Sequence, residues 1–241
     1  MTPSTPPLPA LRAERPAAVL FDLDGTLVDS ERLWLDVIRE RMAGIRRPLS
    51  SEHLGGFEGL SSIEAARRLI ELGEPSTSET GLAAELEGRT IASFAGRLSW
   101  IAGADTALGA LREAGIPLAL VTSSTERWVA AVAESIPLGS FDVVVTADDV
   151  RHTKPHPEPY LRATALLAVT PADCVVFEDS AVGVEAALAA GCRVVQVRAE
   201  AGDAASAPLT RIPDLRRVTA KWVGSLPARA SRSALPEPAL H

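Results

Sequence analysis

Lysine, cysteine and aromatic residues are scarce in this chain of 241 residues, and each scarcity excludes a class of protein. The two lysines are Lys154 and Lys221, and 31 acidic against 24 basic residues give a formal charge of -7, so no basic surface for nucleic acid is expected. Cys174 and Cys192 border apolar runs, which favours two buried thiols over a disulfide or a metal site. With only 4% aromatic residues, the core must be packed mainly from Ala, Val, Leu and Ile.

The chain also lacks the features of a membrane or secreted protein. No apolar stretch approaches the roughly 18 residues that span a bilayer, and the N-terminus has no charged start followed by an apolar block. Residues 1–16 contain five prolines and residues 226–241 share the bias toward Pro, Ala and Ser, a composition that predicts disorder. We therefore expect a cytoplasmic protein, without nucleic-acid or membrane partners, whose ordered part spans residues 17–225.

Short apolar runs of strand length alternate with segments of helical spacing along the ordered part. This alternation predicts an α/β fold, with a Rossmann-like parallel sheet covered by helices on both faces. Residues 24–116 separate the first two runs, far more than one crossover helix needs, so an insertion is expected there. The runs are residues 17–23, 117–121, 142–145, 174–177 and 193–197.

The inserted segment, residues 31–97, has helical spacing throughout. Ser61 followed by Glu64 is a capping box that predicts a helix running to about Leu72. We expect an all-helical module inserted into a core formed by residues 17–30 and 98–225. Two apolar stripes are predicted to form its interior: Leu33, Trp34, Val37, Ile38 and Met42, and then Leu82, Leu86, Phe94 and Leu98.

Two aspartates, Asp22 and Asp24, stand at the carboxyl end of the first apolar run. In open α/β sheets this end faces the ligand crevice. Two carboxylates one residue apart repel each other unless a cation lies between them, so the pair indicates a metal ion. The following Asp-Gly step is also typical of a simple turn, and alone it would not decide between the two interpretations.

Polar residues follow three further predicted strands. Residues 122–124 are Thr-Ser-Ser, Lys154 precedes a proline-rich turn, and Glu178 and Asp179 form another acidic pair. Each segment has an ordinary explanation by itself, as a helix cap, a solvated charge or an acidic first turn. Because the carboxyl ends of parallel strands meet at one edge of a sheet, their common position indicates a single site.

The four segments in this order, with a helical insert after the first, resemble the motifs of the haloacid dehalogenase-like superfamily. Within it, the chain is similar to the phosphatases of the beta-phosphoglucomutase-like subfamily, and the resemblance covers about residues 17–226. It implies a Rossmann-like core with an inserted helical cap domain, residues 31–97, and a small phosphorylated metabolite as substrate. A monomer or weak homodimer is expected. The matching segments are residues 21–30, 121–124, 154–160 and 178–191.

The resemblance also implies roles for individual residues. Asp22 is expected to be the nucleophile that forms an aspartyl phosphate, and Asp24 the general acid and base. Mg²⁺ is expected to be held by Asp22, Asp24 through its backbone carbonyl, and Asp179. The remaining members are Thr122, Ser123 and Lys154, which bind the phosphate, and Thr26 and Glu178, which support the site.

Several reactions within the superfamily remain to be separated. Asp24 argues against dehalogenation, and the absence of lysine from residues 31–97 excludes a Schiff-base phosphonatase. Sugar phosphomutases share all four motifs but carry an arginine where Ser62 aligns, and Arg67 or Arg68 could replace it. Phosphatase activity is therefore expected, with a sugar phosphomutase as the alternative.

Two other classes of function also stay open: a catalytically inactive binding or regulatory module, and an interaction protein that acts through residues 1–16. The intact acidic motifs argue against the first, and the lack of a clear proline-rich ligand motif argues against the second. The substrate itself is not determined. Its specificity is expected to depend on residues of the insert: Trp34, Phe57, Gly59 and Ser62.

Overall fold

The computed structural model describes residues 15–139, 141–198, 204–206 and 209–227. The predictions of disorder therefore fall almost entirely outside the described residues, which exclude residues 1–14 and 228–241. Among the described residues, no helix is both long and apolar enough to cross a membrane.

The described residues form one seven-stranded sheet in the order β3-β2-β1-β4-β5-β7-β6. Of the strands in the described residues, only β6 is antiparallel to its neighbour, β7. The sheet confirms the predicted fold class, and all five predicted runs are strands. The strands are β1 (Ala18–Phe21), β2 (Leu118–Val121), β3 (Val143–Val145), β4 (Cys174–Glu178), β5 (Arg193–Val197), β6 (Ala204–Ser206) and β7 (Leu209–Ile212).

The strands β6 and β7 were not predicted. In β7, Thr210 and Arg211 interrupt the apolar pattern, and its first three residues are not fully buried. A strand near the edge of a sheet needs no continuous apolar run, so it carries a weaker sequence signal than the central strands.

Four helices lie between β1 and the next core helix and make up the inserted segment. These are α1 (Glu31–Gly44), α2 (Ser51–Gly55), α3 (Ser62–Glu71) and α4 (Glu79–Ala92). The predicted capping box begins α3: Ser61 accepts a hydrogen bond from the Glu64 N–H at 3.4 Å, and the Glu64 carboxylate accepts the Ser61 N–H at 2.9 Å. The first predicted stripe, on α1, is buried throughout.

The insert joins the core through two neighbouring chain segments. Val28 forms an antiparallel bridge with Trp100, and the Asp29 N–H donates to the Ser99 carbonyl oxygen at 2.9 Å. The chain thus leaves and re-enters the core at adjacent points, close to the carboxyl end of β1.

The remaining helices cover the two faces of the sheet. Successive residues of β1 alternate between the faces, as the pleat requires: Leu20 packs with α7 and α8, and Phe21 with the opposite layer. Residues on α5, α6 and α9 belong to that opposite layer. These helices are α5 (Ala104–Glu113), α6 (Glu126–Ser135), α7 (Glu158–Leu166), α8 (Ala181–Ala190) and α9 (Ala220–Gly224).

Candidate active site

Asp22 and Lys154 meet at the carboxyl end of the sheet. Asp22 directly follows β1, and its backbone N–H donates to the Phe177 carbonyl oxygen at 3.0 Å. The Lys154 ammonium donates to Asp22 Oδ1 and to Glu178 Oε1, each at 2.5 Å, and all three side chains are buried. Burial opposes the charge on Lys154, but Asp22 and Glu178 outweigh it and raise the pKa of the lysine above its ordinary value.

Three carboxylates crowd this end of the sheet. Oxygen atoms of Asp22, Glu178 and Asp179 lie within 4.8 Å of one another. Burial, followed by the charge of Glu178, raises the pKa of Asp179, and burial also raises the pKa of Asp22 against the opposing charge of Lys154. One ammonium group cannot balance three carboxylates. A divalent cation that prefers oxygen ligands fits this set, and magnesium is such a cation.

Two glycines allow the acidic side chains to approach the backbone. Gly25 has a φ of +83°, and a Cβ atom there would lie 2.1 Å from Asp179 Oδ2. A Cβ atom at Gly183, in the first turn of α8, would lie 1.8 Å from Glu178 Oε1. Thr26 adds a hydrogen bond from its hydroxyl to Asp179 Oδ1 at 3.1 Å. The acidic groups are therefore fitted closely to the surrounding chain.

Asp24 has surroundings different from those of Asp22. Its Oδ1 accepts hydrogen bonds from the Trp128 indole N–H at 2.8 Å and from the Ser30 hydroxyl. Its Oδ2 accepts from the Ser124 hydroxyl at 2.7 Å and from Thr122 at 3.5 Å. The side chain of Asp24 thus faces hydroxyl and indole donors. The contact with Trp128 was not predicted from the sequence, because the position of this residue on α6 matches that of an ordinary core residue.

The loop after β2 carries an unsatisfied hydroxyl. The Oγ atom of Ser123 is buried and has no hydrogen-bond partner among the described residues, whereas Thr122 Oγ1 accepts the Ser124 N–H at 3.0 Å. A buried hydroxyl without a partner is costly and is free to bind an oxygen of a ligand.

A small cavity of about 50 Å³ connects these groups with the insert. Of the four residues expected to set specificity, Trp34, Gly59 and Ser62 line it. Phe57 does not; its ring is fully buried, with the Arg68 guanidinium 5.3 Å from its centroid. On the core side the lining comprises Asp22, Asp24, Thr122, Ser123, Ser124, Trp128, Lys154, Asp179 and Ser180.

Glu31 also lines the cavity, and it was not among the predicted site residues. It is half-buried, and its Oε1 accepts the Gly59 N–H at 3.3 Å. Burial, with the charge of Asp24 next in importance, raises the pKa of Glu31 to about 8. At the start of α1 this residue looks in the sequence like an ordinary acidic group in a first helical turn, so nothing indicated a role in the cavity.

A second group of possible metal ligands, His152, His156 and Glu158, lies on the surface at the start of α7. His152 Nδ1 is 2.9 Å from Glu158 Oε2, and the Glu158 N–H donates to His156 Nδ1 at 3.2 Å. The Arg151 N–H also donates to the Glu158 carboxylate, at 2.9 Å. These local hydrogen bonds account for the arrangement as a turn that leads into α7.

Comparison with known proteins gives a consistent result. The family model described as haloacid dehalogenase-like hydrolase matches residues 19–197. Hexitol phosphatase A of Escherichia coli (strain K12) is 38% identical over 190 residues, which cover 76% of this chain and 83% of that protein.

Two solved structures share the fold. CbbY from Rhodobacter sphaeroides in complex with phosphate superposes with a TM-score of 0.73 at 25% identity, over 84% of this chain and 96% of that chain. Beta-phosphoglucomutase from Clostridium difficile also gives a TM-score of 0.73, at 20% identity, over 86% of this chain and 95% of that chain. At that identity the second likeness concerns the fold alone.

Proposed function

Because this chain belongs to the haloacid dehalogenase-like hydrolase family, we propose that it is a magnesium-dependent phosphatase of small phosphorylated metabolites. The observation that carries the proposal is the contact between Asp22 and Lys154 at the wall of a cavity that also contains Asp24 and Ser123. The cavity thus combines a buried carboxylate, a cation and hydroxyl groups, which suit phosphoryl transfer.

Asp22 is the proposed nucleophile. One of its carboxylate oxygens attacks phosphorus while the bond from phosphorus to the leaving oxygen breaks, which gives an aspartyl phosphate and an alcohol. Lys154 neutralises charge on Asp22 and on the transferring group, and Thr122 and Ser123 donate hydrogen bonds to phosphate oxygens. The hydroxyl of Ser123, buried without a partner, supports this assignment.

Asp24 is the proposed general acid and base. In the first step its protonated carboxyl gives the proton to the leaving oxygen. In the second step its carboxylate takes a proton from water as the water oxygen attacks phosphorus, so that the bond to Asp22 breaks and inorganic phosphate leaves. The different hydrogen-bond partners of the two aspartates, Trp128 for Asp24 and Lys154 for Asp22, support this division of roles.

Asp22, Asp179 and the backbone carbonyl of Asp24 would hold Mg²⁺, with Glu178 and Thr26 supporting the site. When bound, the ion supplies the positive charge that three neighbouring carboxylates and a phosphate dianion lack. The close approach of Asp22, Glu178 and Asp179 supports this assignment. The requirement for glycine at position 25, beside Asp179, supports it further.

The lining of the cavity favours an uncharged organic group, such as a sugar or a polyol, attached to the phosphate. Among the lining residues of the described chain, Lys154 is the only cation, and it is already paired with Asp22 and Glu178. Glu31, Ser62 and Trp34 offer hydrogen bonds and an apolar surface, but none of the three carries a positive charge to pair with a carboxylate. A similar protein named hexitol phosphatase fits this preference.

The phosphomutase alternative requires a cationic contact for a second phosphate. Arg67 is exposed and bonds to Glu79 at 3.1 Å, and Arg68 packs over Phe57. Neither arginine lines the cavity, and Ser62 is the residue that faces it. The arrangement therefore favours release of phosphate over its return to a sugar.

The proposal is tested by measuring phosphate release from a panel of phosphorylated sugars, polyols, nucleotides and organic acids with magnesium present. Asp22→Asn keeps the shape of the side chain but removes the attacking charge, so turnover should fall by more than about 100-fold and no phosphoenzyme should form. The matched control is Asp29→Asn, which changes a partly exposed aspartate of the same segment. Turnover of Asp22→Asn within about tenfold of the unaltered protein would overturn the proposal, as would a chain inactive on every substrate.

A further inference from the structure

Trp128 provides an unusual partner for a proposed acid–base residue. It lies in the first turn of α6, is 5% exposed, and its indole N–H donates to Asp24 Oδ1 at 2.8 Å. An indole can only donate a hydrogen bond; it has no lone pair with which to accept one. The contact is therefore favourable only while Oδ1 acts as an acceptor.

Both partners of the other oxygen of Asp24 are hydroxyl groups, whereas Oδ1 accepts from the Ser30 hydroxyl as well as from the indole N–H. Oδ2 faces the hydroxyl groups of Ser124 and Thr122, each of which can donate or accept. A proton on Oδ2 would find an acceptor there, while a proton on Oδ1 would compete with the indole N–H. Because Thr122 belongs to the proposed phosphate-binding loop, Oδ2 is also the oxygen on the side of the phosphate.

The position of the indole is fixed by groups from the core and from the insert. Thr125 begins α6 by accepting the Trp128 backbone N–H at 3.2 Å, and it donates to the buried Glu87 of α4 at 2.6 Å. The Trp128 ring makes near-perpendicular contacts with Trp34, with centroids 6.0 Å apart, and with Phe94, at 5.0 Å. Such edge contacts on two sides restrict rotation of the ring.

We propose that Trp128 is a positioning residue for Asp24: its N–H keeps Oδ1 as an acceptor and so directs the transferable proton to Oδ2, on the side of the substrate. This inference rests on the proposed acid role of Asp24. Because Trp34 and Phe94 belong to the insert, the packing of the insert against α6 also determines where the acid group points.

The test compares phenyl phosphate, whose leaving oxygen needs a proton, with p-nitrophenyl phosphate, whose leaving group needs little protonation. Trp128→Phe should lower kcat/KM about tenfold for phenyl phosphate and about twofold for p-nitrophenyl phosphate. The ratio of the two values does not depend on the fraction of folded enzyme. The control Trp222→Phe, which changes a ring that contacts Phe177 but not Asp24, should leave the ratio unchanged.

A second replacement preserves the packing. Substituting 3-benzothienylalanine at position 128 keeps the two-ring shape and removes only the N–H donor, so it should change the ratio as Trp128→Phe does. If neither replacement changes the ratio, or if both substrates lose the same factor, the positioning role is wrong.

The variant Asp24→Asn distinguishes a failure of the acid role of Asp24 from a failure of the positioning role of Trp128. If this substitution spares phenyl phosphate turnover, the acid role itself fails. If it selectively slows phenyl phosphate, adding Trp128→Phe should have no further effect on the ratio, since the two residues act as one unit. A further selective loss in the double variant would contradict a role that acts through Asp24.

Discussion

The ammonium group of Lys154 lies 2.5 Å from Asp22 Oδ1, and the same group lies 2.5 Å from Glu178 Oε1. One buried cation thus joins the end of β1 to the end of β4, across 132 positions of sequence between Lys154 and Asp22. Tyr160 completes the arrangement by donating to Glu178 Oε1 at 2.8 Å. The packing of the core and the proposed chemistry of the site therefore involve the same group.

Replacing Lys154 by Met should reduce the free energy of unfolding by about 3–5 kcal/mol, because two buried carboxylates lose their partner. Urea unfolding in EDTA measures this, and Lys221→Met is the matched control at an exposed lysine. Added magnesium should restore part of the loss, since it neutralises the same carboxylates. Equal stability of the two variants would contradict the assigned role of Lys154.

Removal of magnesium should abolish turnover and lower the melting temperature if, as proposed, the ion binds the folded carboxylate cluster. The measurements are phosphate release after exhaustive chelation and thermal unfolding across a magnesium titration. Asp179→Asn should raise the magnesium concentration needed for half of the stabilisation at least about tenfold, because a charged ligand is lost. Asp214→Asn, which alters a surface pair with Arg216, should leave it unchanged. Full activity without metal would contradict the assignment.

Glu31 should make the metal-free protein less stable as pH rises. Its pKa is about 8 in the folded protein, above its ordinary value, so the folded state binds more protons than the unfolded state between about pH 4.5 and pH 8. Stability is fully present at the low end of this range and is lost toward its upper end, by at most about 1.4 kcal/mol per pH unit. Glu31→Gln should flatten that dependence in urea unfolding with EDTA, whereas the exposed Glu52→Gln should not. Parallel curves for Glu31→Gln and the unaltered protein would refute the prediction.

The outcome of the reaction should be release of phosphate. With β-glucose 1-phosphate, a trace of glucose 1,6-bisphosphate and magnesium, any turnover should yield stoichiometric inorganic phosphate, because no arginine of the described chain lines the cavity to retain a second phosphate. A coupled dehydrogenase follows glucose 6-phosphate in the same sample. Rapid formation of glucose 6-phosphate with negligible phosphate would favour the phosphomutase instead.

Much of the molecule follows from local sequence. The central strands are short apolar runs that end in polar residues. A strand that is buried on both faces needs apolar residues at successive positions, so it can be recognised in the sequence. The capping box at Ser61 and Glu64 is a contact between near neighbours and could be read directly. The family resemblance followed from four such local segments in order, and the match to the family model over residues 19–197 confirmed it.

What the tertiary structure decided is which buried side chains face the cavity and which face only one another. Helical spacing identified Trp34 as buried, and Trp128 likewise packs like a core residue, but spacing alone does not assign a hydrogen bond to a residue 104 positions away. Phe57 and Glu31 are the clearest cases: the expected specificity residue is enclosed beneath Arg68, and an ordinary-looking first-turn glutamate lines the cavity. Periodicity identifies which face of a helix or strand is buried. The residues that this face contacts depend on how elements distant in sequence pack together.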